Sequence, residues 1–72
     1  MRIEITKGLI LNAYSKGKNN LTEILFPAGE YSANLTPEGQ IEILSSGASK
    51  AQFSFSQFRE KLSLGEFVLL EA

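Results

Sequence analysis

The sequence predicts a small, mostly β domain, built as a curled antiparallel sheet or a small barrel with one short helix before the last strand. Its 72 residues suit a single domain with a modest core. Turn signals recur about every 8–12 residues, a spacing typical of small all-β sandwiches and barrels. Near residue 55 the apolar period changes from that of a strand to that of a helix. The glycines that mark the turns fall at positions 8, 17, 29, 39, 47 and 65.

The first fourteen residues read as one long strand with a bend. Apolar side chains occupy every second position both before and after Gly8, so they point to the same face of the strand. Glycine is the usual residue at a β-bulge, which would bend such a strand. We therefore expect a single face to be buried along this whole segment. The residues predicted to face inward are Ile3, Ile5, Leu9, Leu11 and Ala13.

The middle of the chain alternates between short strands and turns. The "SKGKNN" segment is a hairpin loop, "LTEILF" is the return strand, and "FPAGEY" contains a turn because Pro27 lacks an amide donor. "TPEG" fits a type I turn with Gly39 in fourth place. "SSGASK" is a further loop. In the strands between, the residues predicted to face inward are Tyr31, Ala33, Leu35, Ile41, Ile43, Ala51, Phe53 and Phe55.

A helix is predicted next, because Phe55, Phe58 and Leu62 form a stripe at helical spacing. Ser54 and Gln57 fit a capping box at its start, Lys61 favours the dipole near its end, and Gly65 fits just past its end. "EFVLLE" closes the chain as a strand. The expected strands cover about 2–6, 9–14, 21–26, 30–35, 40–45, 50–55 and 66–71, and the helix covers about 56–63.

The side-chain inventory argues against catalysis. The chain has no histidine, no cysteine and no aspartate, and all eight acidic residues are glutamates. A nucleophilic triad or an ordinary zinc site needs residues that are missing here. Paired glutamates such as Glu23 and Glu42 are a conceivable acid–base pair, but we interpret them as residues of solvated strand faces. We therefore expect no enzyme activity, no cofactor and no metal.

Charge is unevenly distributed along the chain. Residues 1–20 carry four basic side chains and one glutamate, whereas residues 21–45 carry four glutamates and no basic side chain. This pattern fits either ordinary surface scatter or a basic face and an acidic face on one small barrel.

The hairpin segment "AYSKGKNNL" carries the features of a nucleic-acid site. Proteins that bind single strands combine a basic groove with aromatic side chains on which bases stack. "SKGKNNLTEILFPAGEYSANL" resembles the DNA-binding hairpin of the single-stranded-DNA-binding proteins of filamentous phages. The resemblance covers less than a third of the chain and has no counterpart for "SQFREKL". It implies a β-barrel in which Tyr14, Lys16 and Lys18 contact DNA, and Lys7 is a further candidate from its charge.

A protein-interaction module is the competing hypothesis. The order of a short helix before the last strand is similar to that of SH3-like barrels, and OB-like barrels are of comparable size. The chain also has more apolar strand residues than one small core can cover. The residues that we expect at an interface with a partner protein or a second copy are Val68, Leu70, Ile10 and Leu44.

The sequence thus favours a cytoplasmic, non-catalytic binding module with a protein partner or a homodimer contact. No apolar run is long enough to span a membrane, and no signal peptide is recognisable. A phage or another mobile element is the expected setting for such an accessory protein. The alternative is a single-stranded nucleic-acid-binding protein that uses the hairpin at residues 13–21.

Overall fold

The fold follows the predicted order of strands and helix. The computed structural model describes residues 1–15, 17–45 and 47–72, and within them every element lies within two residues of its predicted bounds. The prediction of a mostly β chain with a short helix before the last strand is confirmed. The elements are β1 (Arg2–Ile5), β2 (Leu9–Tyr14), β3 (Leu21–Phe26), β4 (Gly29–Leu35), β5 (Ile41–Leu44), β6 (Lys50–Phe53), α1 (Phe55–Ser63) and β7 (Phe67–Glu71).

The strands form one antiparallel sheet in the order β3-β2-β6-β5-β4-β1-β7. β1 and β2 are four positions apart in this order, a separation of about 19 Å in a flat sheet. The chain from Ile5 to Leu9 spans at most about 14 Å, because each residue adds no more than about 3.6 Å. The sheet must therefore curl. It does not close into a barrel, and β3 and β7 remain its two edges.

β1 to β4 form one long hairpin that bends in the middle. Ile5 pairs with Gly29, and Leu9 pairs with Phe26. The three residues 6–8 therefore lie opposite the two residues 27–28, and the extra residue makes a β-bulge. The bend predicted at Gly8 is confirmed, and the return strand bends with it.

The core lies on the concave face of the sheet and is closed by the helix. The ring of Phe67 lies 5.6 Å from that of Phe53 in an edge-to-face arrangement and 5.7 Å from that of Phe58 on α1. Such aromatic pairs contribute about 0.5–1.5 kcal/mol beyond the burial of their surface. Phe67 thus joins β7, β6 and the helix. The buried residues are Ile3, Ile5, Leu11, Ala13, Phe26, Ala33, Ile41, Ile43, Ala51, Phe53, Phe58 and Phe67.

Two residues predicted to face inward are exposed. Phe55 is 53% exposed because the strand ends at Phe53, and Ser54 starts the helix instead of continuing the alternation. Leu35 is 58% exposed because it is the last residue of β4, at the rim of the sheet. For these two positions the prediction from strand alternation is wrong.

The helix begins and ends as predicted, and its end sets the start of β7. The hydroxyl of Ser54 accepts from the amide of Gln57 at 3.1 Å, and the Gln57 side chain accepts from the amide of Ser54 at 2.9 Å. After the helix, Gly65 adopts a φ of +74°, and the amide of Glu66 donates to the carbonyl of Lys61 at 3.0 Å. This is the glycine-based helix end that turns the chain back towards the sheet.

Loops 36–40 and 45–49 have the same hydrogen bonds. The amide of the first loop residue donates to the carbonyl of the fifth, at 2.7 Å from Thr36 to Gln40 and at 2.9 Å from Ser45 to Ser49. The amide of the fourth residue donates to the carbonyl of the first, at 3.0 Å from Gly39 to Thr36 and at 3.1 Å from Ala48 to Ser45. The first side-chain hydroxyl accepts from the fifth amide at 3.1 Å in both. The fourth residue has a positive φ, +82° at Gly39 and +66° at Ala48. The turn predicted at "TPEG" is confirmed.

These matched loops predict opposite effects of exchanging glycine and alanine. An L-residue in the left-handed region destabilises the folded state by about 1–2 kcal/mol. Glycine avoids this strain, but it loses more conformational entropy on folding than alanine does, which costs about 0.5–1 kcal/mol. We therefore expect Ala48→Gly to stabilise the fold by about 0.5–1 kcal/mol and Gly39→Ala to destabilise it by a similar amount. A Cβ at Gly39 meets no atom within 4 Å, so the change acts through the backbone alone. Urea unfolding of both variants measures this, and shifts of the same sign would contradict it.

Candidate functional site

The tip of the β2–β3 hairpin is a tight turn, as the sequence predicted. The amide of Lys18 donates to the carbonyl of Ser15 at 3.1 Å, and Gly17 has a φ of +77°. Tyr14 pairs with Leu21 where the two strands meet the turn. Lys16, a predicted contact residue, lies outside the described residues.

Two of the predicted nucleic-acid residues lie in one groove beside this turn. Tyr14 and Lys18 line a cleft of about 640 Å³, and Lys50 from β6 lines it as well. The pairing of Tyr14 with Lys50 in neighbouring strands places these two side chains on the same face. We call this cleft the hairpin groove, and its lining includes Tyr14, Gly17, Lys18, Ala48, Lys50 and Gln52.

The groove is only partly basic. The Nζ of Lys50 lies 3.7 Å from the Oε2 of Glu42, and the Nε2 of Gln52 donates to that same oxygen at 3.3 Å. Glu42 therefore offsets part of the positive charge of Lys50. Lys7, the fourth predicted contact residue, is exposed at the opposite end of β2 and does not line the groove.

Strand pairing brings basic and acidic side chains together, so the basic and acidic segments of the sequence do not form separate faces where these strands pair. β1 pairs with β4, which places Arg2 in an ion pair with Glu30. β6 pairs with β5, which places Lys50 beside Glu42. Half-exposed ion pairs of this kind contribute about 0–1 kcal/mol each. Their main consequence here is a mixed rather than a uniformly basic outer face.

The edge strand β7 exposes three apolar residues in succession. Val68, Leu69 and Leu70 are 39%, 46% and 44% exposed. β7 pairs with β1 on one side and ends the sheet on the other. Phe67 is buried in the core, whereas the chain by itself leaves Val68 and Leu70 exposed, so their role as interface residues stays a prediction.

The other two predicted interface residues lie on different strands. Ile10 on β2 is 66% exposed, pairs with Leu25, and lines a shallow groove beside the helix residue Gln57. Leu44 on β5 is half-buried. Val68 and Leu70 therefore share β7, while Ile10 and Leu44 belong to separate surfaces.

A second cleft, which we call the corner slot, lies at the inside of the hairpin bend. It has a volume of about 750 Å³ and is lined by the apolar side chains of Ile24, Leu25, Tyr31 and Leu44 together with Glu30. The hydroxyl of Tyr31 donates to the carbonyl of Pro27 at 2.5 Å, and burial raises the pKa of this hydroxyl above its ordinary value. Tyr31 therefore stays protonated at neutral pH and keeps this bond across the turn.

Lys50 and the corner slot were missed from the sequence because both depend on strand pairing. Lys50 follows a loop and looks like an ordinary solubilising residue until β6 is placed beside β2. The slot is formed by residues from β3, β4, β5 and the adjoining turns that are up to 25 positions apart, from Ile24 to Ser49. No local spacing in the sequence signals either one.

Two further observations concern metal ligands and membrane-spanning helices. Across residues 1–15, 17–45 and 47–72, no three side chains of the metal-ligating acidic, histidine or cysteine types come together. In the same part of the chain, no helix is both long enough and apolar enough to cross a membrane.

Comparison with known proteins adds no assignment. No family model matches the sequence, and neither a curated protein nor a solved structure matches the chain. The resemblance of the hairpin to phage single-stranded-DNA-binding proteins therefore stays a hypothesis.

Proposed function

We propose that the protein is a non-catalytic interaction module that binds a partner strand along the open edge of β7. The observation that carries this proposal is the run of three exposed apolar residues on a strand that ends the sheet. An edge strand presents backbone amides and carbonyls that an added strand can pair with. Exposed edges of this kind also promote aggregation unless something covers them. A specific partner strand would pair with these backbone groups and would also cover the edge against aggregation.

The partner that fits best is a second copy of the chain. Antiparallel pairing centred on Leu69 places Val68 opposite Leu70 of the partner subunit, so apolar side chains meet apolar side chains. The two Glu71 carboxylates are then four residues apart along the strands, about 13 Å. This exceeds the screening length of about 8 Å at physiological ionic strength, so their repulsion is weak.

Burial of the exposed apolar side chains at this edge favours association. Full burial of a valine or leucine side chain contributes about 1.5–3 kcal/mol. Val68, Leu69 and Leu70 are already more than half buried, so completing their burial adds on the order of 1 kcal/mol each. Backbone pairing adds to this along the part of β7 whose pairing with β1 is regular, Phe67 to Leu69, before the register shifts at Leu70. We place this function in the cytoplasm, in an accessory protein of a phage or another mobile element.

Binding of single-stranded nucleic acid at the hairpin groove is the second candidate. It is favoured by the convergence of Tyr14, Lys18 and Lys50 on one cleft. An aromatic ring and two lysines in one cleft offer a stacking surface and two phosphate contacts. Against it stands Glu42, which lies beside one of the two lysines.

The β7 proposal predicts that Val68→Glu with Leu70→Glu dissociates a dimer while the monomer stays folded. Both side chains lie outside the core, and four introduced carboxylates oppose each other across the interface. Sedimentation equilibrium measures the mass, and circular dichroism measures the fold. The matched control is Leu21→Glu with Leu25→Glu on the other edge strand, which should leave the dimer intact. A wild-type monomer at all accessible concentrations, or dissociation by the control alone, would contradict the proposal.

The groove hypothesis predicts that Lys18→Ala with Lys50→Ala weakens binding to an oligothymidine and lowers the salt dependence. Each lost phosphate contact reduces the slope of log K against log salt by about 0.7 for a single strand. Tyr14→Ala should cost roughly 1–3 kcal/mol if a base stacks on the ring. Lys7→Ala is the control, since it removes the same charge at the other end of β2. Fluorescence anisotropy with labelled oligothymidine at two salt concentrations decides this, and equal effects of Lys7→Ala and Lys18→Ala would argue against a groove.

A further inference from the structure

The corner slot lies between backbone segments that lack a strand partner on that side. β4 pairs with β5 only from Ser32 to Leu35, whereas residues 29–31 pair with β1 on their other side. β3 pairs with β2 and ends the sheet. Among the described residues, no strand occupies the inside of the bend between β3 and the start of β4. The backbone groups there are available to an added extended segment.

The side chains around the slot suit an apolar residue of such a segment. Ile24, Tyr31 and Leu44 are half-buried, and Leu25 is 61% exposed. The ring of Tyr31 packs 5.7 Å from that of Phe26 and is held by its bond to Pro27, so this wall of the slot is fixed in place. An apolar side chain that enters here gains burial without displacing a buried polar group.

The charge around the slot selects for a basic partner. Glu30 lines the slot, and Glu23 lies on the adjoining strand β3. The described lining of the slot contains no lysine or arginine. The ion pair with Arg2 offsets part of the charge of Glu30, whereas none of the ion pairs among the described residues includes Glu23. A peptide with a lysine or arginine beside its apolar residue complements this surface.

We propose that the corner slot binds an extended peptide segment of another protein, with alternating apolar residues and a basic flank, by strand addition. The two edge strands of a second copy, β3 and β7, contain Glu23 and Glu71 and no lysine or arginine, so either would bring negative charge to an acidic surface. The occupant is therefore a different protein. The β3 wall of this site is at the opposite end of the strand order from β7, and no residue of β7 lines the slot among the described residues.

A random nonapeptide display library selected against the full chain tests this proposal. The enriched peptides should alternate apolar residues and carry an excess of lysine and arginine. The highest-ranking peptide, made synthetically, should bind the Leu25→Lys variant at least tenfold more weakly than the wild type. Leu21→Lys, on the same strand but outside the slot, should bind it within twofold of the wild type. Methylation of the central peptide amides should abolish binding, because strand addition requires those amides as donors.

The same experiment separates the slot from the other surfaces. In the complex, hydrogen exchange should slow at amides within residues 24–26 and 29–31. The proposal is overturned if no peptide is enriched, if the enriched peptides are acidic, or if Leu25→Lys binds them as well as the wild type does. It is also overturned if Val68→Glu with Leu70→Glu abolishes peptide binding, because the peptides would then occupy the β7 edge.

Discussion

The bend in the first hairpin is the constraint on which the rest of the fold depends. Three residues, 6–8, lie opposite two, 27–28, and this offset lets one hairpin belong to both halves of a curled sheet. Beyond the bend, β4 is free to pair with β5, and β2 with β6. A straight hairpin of the same length would leave one of its faces uncovered by a chain of this size.

The bend also decides which surfaces stay open. It directs β3 away from β4 and so creates the corner slot on its inner side. At the other end of the order, β7 docks on β1 and is held by Phe67, whose ring packs against Phe53 and the helix residue Phe58. A core this small covers only one side of β7. The corner slot and the β7 edge therefore lie beside the two edge strands of the sheet. Both remain open because the bend in the hairpin sets how the sheet curls around the core.

Local signals in the sequence were sufficient for the elements and insufficient for the sites. The Ser54–Gln57 capping box and Gly65 act within a few residues, so the helix ends could be predicted. Period-two alternation identified core residues such as Ile41 and Ile43. It failed at Phe55, where an element ends, because alternation says nothing about where a strand stops. The neighbourhood of Tyr14 and Lys50 is set by strand order, which no local spacing encodes.

The change of register at the bend is tested most directly by cross-strand nuclear Overhauser contacts between backbone protons of β1 and β4. With the bulge in place, Ile3 lies opposite Tyr31 and Ile5 lies opposite Gly29, while Leu9 lies opposite Phe26. The account predicts contacts in these pairs. Without the bulge, the register of β2 and β3 would continue and place Ile3 opposite Ser32. Contacts between Ile3 and Ser32 as the directly opposed pair would contradict the bent hairpin, and with it the origin of the corner slot.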